Sequence, residues 1–128
     1  MRLLLDTHAL LWWLNDNDLL PSTARKMIGR GGNEVLVSAA SAWEIATKVR
    51  LGRLESGADL VRDFAGHLSR ARFEQLPVSV DHAVRAGLLP GPHKDPFDRM
   101  LIAQAQSENV PIVSNDAAFD GYGVGRMW

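Results

Sequence analysis

The sequence contains no cysteine. That excludes disulfides and any cysteine-ligated zinc site, and it fits a reducing compartment. A broad positive charge is missing too: 14 Lys and Arg stand against 15 Asp and Glu, a formal net charge of −1. Proteins that grip nucleic acid over a wide basic surface carry an excess of positive charge. Any nucleic-acid contact must therefore be local or run through bound metal. No GxxxxGK[ST] phosphate loop is present, and GYGVG (121–125) has neither the GxGxxG spacing nor a helix after it. A P-loop or a dinucleotide site is not expected. The N-terminal stretch MRLLLDTHALLWWLND is apolar but interrupted by Asp6 and His8. It is too short for a membrane span and lacks a signal-peptide cleavage pattern. The expectation is a cytoplasmic protein without membrane contact. Repeats, linkers and low-complexity tracts are absent.

What is present is 128 residues, 46% of them hydrophobic, enough for one compact domain with its own core. RLLLD (2–6) reads as a buried strand, and Asp6 or Thr7 caps a helix through HALLWWLN. PSTARKMIG reads as a second helix with Ser22 as N-cap and Gly29 past its end. EVLVS (34–38) is a second buried strand, followed by a helix in ASAWEIATKVRLG and one continuous helix in GADLVRDFAGHLSRA. A short strand in FEQLPVS (73–79), a helix in VDHAVRAGLL capped by Ser79, a helix in DPFDRMLIAQAQSEN, a strand in PIVSND (111–116) and an edge strand in GVGRMW complete the chain. Continuous apolar strands alternating with helices predict an α/β fold with a mainly parallel sheet covered on both faces. In such folds ligands bind beyond the carboxyl ends of the strands, so the residues just after each strand carry the most information.

Four acids occupy such places. Asp6 follows RLLL, Asp116 closes PIVSN, Glu44 lies early in the helix after EVLVS, and Asp98 sits in the first turn of the helix that leads to PIVSN. Converging carboxylates must be protonated, paired or metal-bound, and oxygen ligands favour Mg²⁺ or Mn²⁺. Setting these four acids aside leaves 14 basic residues against 11 acidic, so the negative excess is concentrated in the proposed site. A bare acidic pocket repels a phosphodiester. One holding divalent cations attracts it, activates water and stabilises the leaving oxygen.

Each acid also has a plainer explanation. Asp6 suits a helix cap, Glu44 pairs with Lys48 one turn on, and Asp116 suits a turn. In DPFD, Asp95 reads as N-cap, Pro96 as the first helical residue, and Asp98 as an acid favoured by the helix dipole. The joint pattern outweighs these readings, because four accidents would have to fall on one edge of one sheet. Among the histidines, His8, His67, His82 and His93, the last precedes DPFD; it either joins a His/Asp metal cluster or hydrogen-bonds the loop before the helix. His82, near a helix start, reads as structural. ALLWWL (9–14) is apolar on every side of its helix, so it is either wholly packed in the core or partly covered by another chain.

The segments LLLDTHALLWW, VSAASAWEIATKVRLGRL, HKDPFDRMLIAQA and IVSNDAAFDGYGV, in this order, resemble the PIN-domain ribonucleases, in particular the toxins of VapBC-type toxin–antitoxin pairs. The resemblance covers essentially the whole chain. It implies a three-layer α/β/α sandwich with a central, mainly parallel sheet. It implies an Mg²⁺- or Mn²⁺-dependent endoribonuclease cutting single-stranded or loop regions of RNA. It carries the family's acidic positions onto Asp6, Glu44, Asp98 and Asp116. Asp6 and Asp98 become core ligands, Glu44 a ligand or a base for the attacking water, and Asp116 the completion of the cluster. Thr7 and Ser114 become candidates to position water, and Arg99 and Lys48 candidates to contact phosphate or balance the acids. Homodimers and inhibition by an antitoxin peptide on apolar surface near the site are also implied. The rival readings are a PIN-like RNA- or protein-binding module without catalysis, and a small metal-dependent phosphatase.

Overall fold

The computed structural model describes residues 1–128. In chain order the elements are β1 (Arg2–Leu5), α1 (Thr7–Leu14), α2 (Ser22–Gly29), β2 (Glu34–Ser38), α3 (Ala39–Arg50), a 3₁₀ turn (Glu55–Gly57), α4 (Ala58–Arg62), α5 (Phe64–Arg70), β3 (Glu74–Leu76), α6 (Val80–Leu88), α7 (Pro96–Glu108), β4 (Ile112–Val113), a 3₁₀ helix (Ala117–Tyr122) and β5 (Arg126–Met127). The five strands form one sheet in the order β3-β2-β1-β4-β5, and every pair is parallel. From β1 the chain steps outward to β2 and β3, then returns to place β4 on the other side of β1. That reversal opens a crevice beyond the carboxyl ends of β1 and β4, where doubly wound sheets bind ligands.

The strands are apolar at successive positions because the sheet has two buried faces. Leu3, Leu5, Val35, Val37 and Val113 point to one side, into a core shared with Leu10, Ile28, Ile45 and Leu68. Leu4, Leu36, Leu76 and Ile112 point to the other, against Leu101, Ile102 and Phe119. This period of two across a parallel sheet gives three layers, with α1 to α5 supplying one cover and α6 and α7 the other. The expected three-layer α/β/α arrangement is the one found.

Helix starts follow local chemistry. Asp6, not Thr7, caps α1, accepting the Ala9 N–H at 2.7 Å. Ser79 caps α6 in a capping box closed by His82. Asp95 caps α7, accepting the N–H groups of Phe97 and Asp98, with Pro96 as first helical residue. Two expectations change. α2 begins at Ser22 after Pro21, which makes no side-chain cap, and Gly29 is its last residue rather than the residue beyond it. The helix expected over 57–71 is broken: Asp63 leaves helical conformation with φ −151° and its carboxylate accepts the Gly66 N–H, so it starts α5 afresh. A Cβ at Gly66 would lie 2.1 Å from that carboxylate, so the restart needs a glycine there.

The apolar α1 packs partly within its own chain, with Trp12, Trp13 and Leu14 half-buried. Ala9, Leu10 and Leu11 are buried. Trp12 meets Trp128 with ring centroids 5.7 Å apart, and Trp13 lies 6.2 Å from Phe73. More exposed apolar side chains share a face of α6: Val80, Val84 and Leu88, spaced by four residues, are 80%, 55% and 79% exposed.

Candidate active site

The crevice holds the four acids singled out above. Asp6, Glu44, Asp98 and Asp116 line one cavity of about 350 Å³, together with Thr7, His8, Lys48, Asp95, Asn115 and Phe119. Each comes from a different element, and each is fixed by the way that element starts. Asp6 leaves β1 and caps α1, so its main chain continues the strand while its side chain bends over the helix start. Glu44 projects from α3, which Ser38 caps by accepting the Ala40 N–H. Asp98 sits in the first turn of α7, one turn past its cap. Asp116 ends the segment after β4 and caps the following 3₁₀ helix through the Ala118 N–H at 2.9 Å.

Three of the acids are withdrawn from water. Asp6 is 5% exposed and Glu44 4%, and Asp98 is partly buried, whereas Asp116 is exposed. Burial raises the Asp6 carboxyl above the ordinary carboxylate range; the Ser114 hydroxyl, the Ala9 N–H and His8 pull it down, and Asp116 pushes it up. Burial likewise raises Asp98, to about 6, helped by the charges of Asp95, Glu44 and Asp6 and opposed by His93. The acids are thus close enough to feel one another.

Glu44 is the exception in having a partner on each of its oxygens. Lys48 Nζ lies 2.6 Å from Oε2, and Thr7 Oγ1 lies 2.7 Å from Oε1 and 3.1 Å from Ser41 Oγ. Thr7 has one hydroxyl proton, which serves the carboxylate and leaves Ser41 to donate in turn. Lys48 is 40% exposed at its side chain, so its ammonium reaches from the buried acid to the cavity mouth.

Two supporting residues stand elsewhere than expected. Arg99 does not face the acids. Its guanidinium donates to the carbonyls of His93 at 3.0 Å, of Ala86 at 3.1 Å and of Leu89, so it ties the loop before α7 and is not placed to meet phosphate. Ser114 is fully buried and is not among the cavity-lining residues; its Oγ accepts the Asp116 N–H at 3.0 Å and its hydroxyl serves Asp6. It shapes two acids rather than positioning water. Residues that sequence reasoning did not place here are Asn115 and Phe119 in the lining, and His8, which faces Asp6. Asn115 lies inside the SND signal; nothing in the sequence marked Phe119.

The donor set suits a divalent cation. Its candidate ligands are hard carboxylate oxygens, and burial raises two of its carboxylates, so that a cation would favour their ionised form. One side-chain nitrogen in the protein, His93 Nε2, is buried without a hydrogen-bond partner, and it borders the same cluster: donor atoms of His93, Asp98 and Asp116 lie within 4.8 Å of one another.

Asp95 lines the cavity and caps α7, and its expected role is that helix start rather than cation binding. Asp95→Ala is expected to lower stability by about 1 kcal/mol through the lost cap, read as a lower melting temperature. Divalent-cation affinity should stay within a few-fold of wild type. Lost affinity at unchanged stability would exchange the roles of Asp95 and Asp98.

The sequence profile of the PIN domain matches residues 3–124. The chain belongs to the PIN domain family. Part of this PIN domain is 48% identical over 54 residues to Ribonuclease VapC16 of Mycobacterium tuberculosis, a match covering 40% of the chain and 35% of that protein. The chain thus spans about a third of the length of this curated relative. Over nearly its whole length the PIN domain superposes on two solved structures. VapBC2 from Rickettsia felis, bound to a DNA fragment from its promoter, gives a TM-score of 0.71 at 17% identity, covering 99% of this chain and 98% of that one. DNA-bound VapBC from Salmonella typhimurium gives 0.67 at 18% identity, covering 99% and 97%. At such identities the likeness is one of fold.

Proposed function

We propose that this PIN domain, residues 1–128 acting as one unit, is a divalent-cation-dependent endoribonuclease and the toxin of a toxin–antitoxin pair. The observation that carries this reading is the convergence of Asp6, Glu44, Asp98 and Asp116 on one cavity at the switch point of the sheet. The 48% identity to a ribonuclease named VapC16 and the superposition on two VapBC assemblies support it.

In this reading Asp6 and Asp98 hold the cation, with Asp116 at the open side, and Mg²⁺ or Mn²⁺ is the ion their oxygens favour. The cation, when bound, lowers the pKa of water and stabilises charge on the leaving oxygen. Glu44, held on Oε1 by Thr7 and on Oε2 by Lys48, keeps free lone pairs to orient the attacking water and take its proton. Lys48 at the mouth meets a phosphate oxygen of the incoming strand. Its local charge replaces the broad basic surface that the chain lacks. The proposed partners are a cognate antitoxin and a second copy of the chain, in the cytoplasm. The exposed face of Val80, Val84 and Leu88 supplies apolar surface for such contacts.

Incubating the purified chain with RNA and Mn²⁺ and mapping new ends tests the reading. Cleavage is expected, EDTA should abolish it, and Asp6→Asn should abolish it while keeping the α1 cap, since Asn caps as well as Asp. Intact RNA with wild type, or hydrolysis of a phosphomonoester instead, would overturn the reading.

A further inference from the structure

Residues 89–95, LPGPHKD, form a loop in which the main chain of His93 is tied on both sides of its imidazole. The His93 N–H donates to the Tyr122 hydroxyl at 2.9 Å, and the His93 carbonyl accepts from Arg99. The His93 ring lies 6.3 Å from that of Phe119 and 6.5 Å from that of Tyr122. Gly91 has φ +100°, and a Cβ there would come within 2.8 Å of the Tyr122 hydroxyl, so only glycine lets the tyrosine approach. Nδ1 of His93 faces the Asp95 N–H at 3.4 Å. An acceptor at Nδ1 leaves the proton of the neutral ring on Nε2. That Nε2 is buried, has no hydrogen-bond partner, and lies 3.2 Å from Oδ2 of Asp98.

We propose that His93 is a positioning residue for Asp98: its Nε2–H holds Oδ2 of the carboxylate and leaves the other oxygen for the cation. The inference rests on reading Asp98 as a cation ligand. A buried N–H without a partner is costly, and Asp98 Oδ2 is the acceptor in reach; a small turn of ring or carboxylate closes the bond. Direct ligation by Nε2 would move the ring proton to Nδ1, where it would confront the Asp95 N–H, donor against donor. Hydrogen bonds of this kind fix a ligand's orientation, and their loss typically weakens metal affinity 10- to 100-fold. The loop's other ties, from Arg99, Tyr122 and Gly91, hold the imidazole in place. This gives Arg99 a task although it does not reach the acids.

The test is Mn²⁺ titration of the purified chain by calorimetry, with circular dichroism and melting curves on every variant. His93→Ala is expected to raise the Mn²⁺ Kd about 10- to 100-fold. His93→Gln, which keeps an N–H donor, should regain most of the affinity, and Tyr122→Phe should fall between. Wild-type protein carrying ¹⁵N-histidine should show no nitrogen coupling to bound Mn²⁺ in pulsed electron paramagnetic resonance. A ¹⁵N coupling would make His93 a ligand and overturn the proposal. So would an unchanged Kd in His93→Ala, or, where that variant does not fold, His93→Gln and Tyr122→Phe behaving oppositely to the order given. If Asp98→Asn binds Mn²⁺ as tightly as wild type, the reading of Asp98 falls and takes the proposal with it. If Asp98→Asn loses Mn²⁺ but His93→Ala keeps it, only the role of His93 falls.

Discussion

Asp98→Asn is expected to abolish RNA cleavage and, in the absence of divalent cations, to make the protein more stable at neutral pH rather than less. The carboxyl of Asp98 is raised from 3.8 to about 6, first by burial and then by Asp95, Glu44 and Asp6. A carboxyl raised on folding favours the native state fully below its unfolded pKa of about 4. That contribution is lost as pH climbs through 6, because the ionised form is better accommodated in the unfolded chain. At pH 7.5 the wild-type group therefore burdens the fold, and an uncharged asparagine of similar shape does not. Allowing for the solvent that still screens a partly exposed side chain, the relief is about 1 kcal/mol. That corresponds to roughly 3–5 °C in melting temperature for a chain of this size. The gain should shrink towards pH 5. Melts in EDTA at the two pH values measure it. An asparagine variant that melts lower than wild type at pH 7.5 would mean that Asp98 stabilises the fold instead of straining it.

Saturating Mn²⁺ should reverse that order. A cation that binds only the native state stabilises it by about 2.7 kcal/mol at a hundred times its Kd, roughly 10 °C here, and Asp98→Asn should gain little of this. Because a proton and a cation compete for the same carboxylate, wild-type affinity should hold above pH 6 and fall by about tenfold per pH unit below it. Calorimetric titrations between pH 5 and 7.5 give the slope directly. A flat affinity over that interval would remove Asp98 from the ligands. Both expected results follow from one arrangement: three acids withdrawn from water, with one lysine paired to Glu44.

The sheet and the place of the crevice were legible in the sequence because strands buried on both faces leave uninterrupted apolar runs, as RLLL and EVLVS do. The carboxyl ends of those runs pointed to the four acids without any knowledge of distance. Helix starts were legible where a side chain makes them, at Ser79 and at Asp95-Pro96. The break at Asp63 was not, since VRDFAGHL keeps a helical pattern of apolar residues through the point where the backbone leaves the helix. Its mark is local, an acid three residues before a glycine, and reads equally well as solvated surface. Long cations were the least legible. Lys48 stays beside Glu44, one turn away on the same helix, whereas Arg99 turns towards carbonyls as distant in sequence as Ala86. On α1, the most apolar stretch, Trp12 and Trp13 pack on Trp128 and Phe73 and remain half-buried, which fits core packing and leaves the covering by another chain open. The more exposed apolar face on α6 was not legible, because Val80, Val84 and Leu88 are spread among polar residues.

The order of the strands also sets when the site comes into being. Its first acid lies at position 6 and its last at 116, and β4 must slide in beside β1 before the crevice has a second wall. A chain still being synthesised carries Asp6, Glu44 and Asp98 without the strand that completes their cavity. In the proposed reading, cleavage therefore waits until β4 has been made and docked beside β1, and a chain cut short before β4 is expected to lack activity.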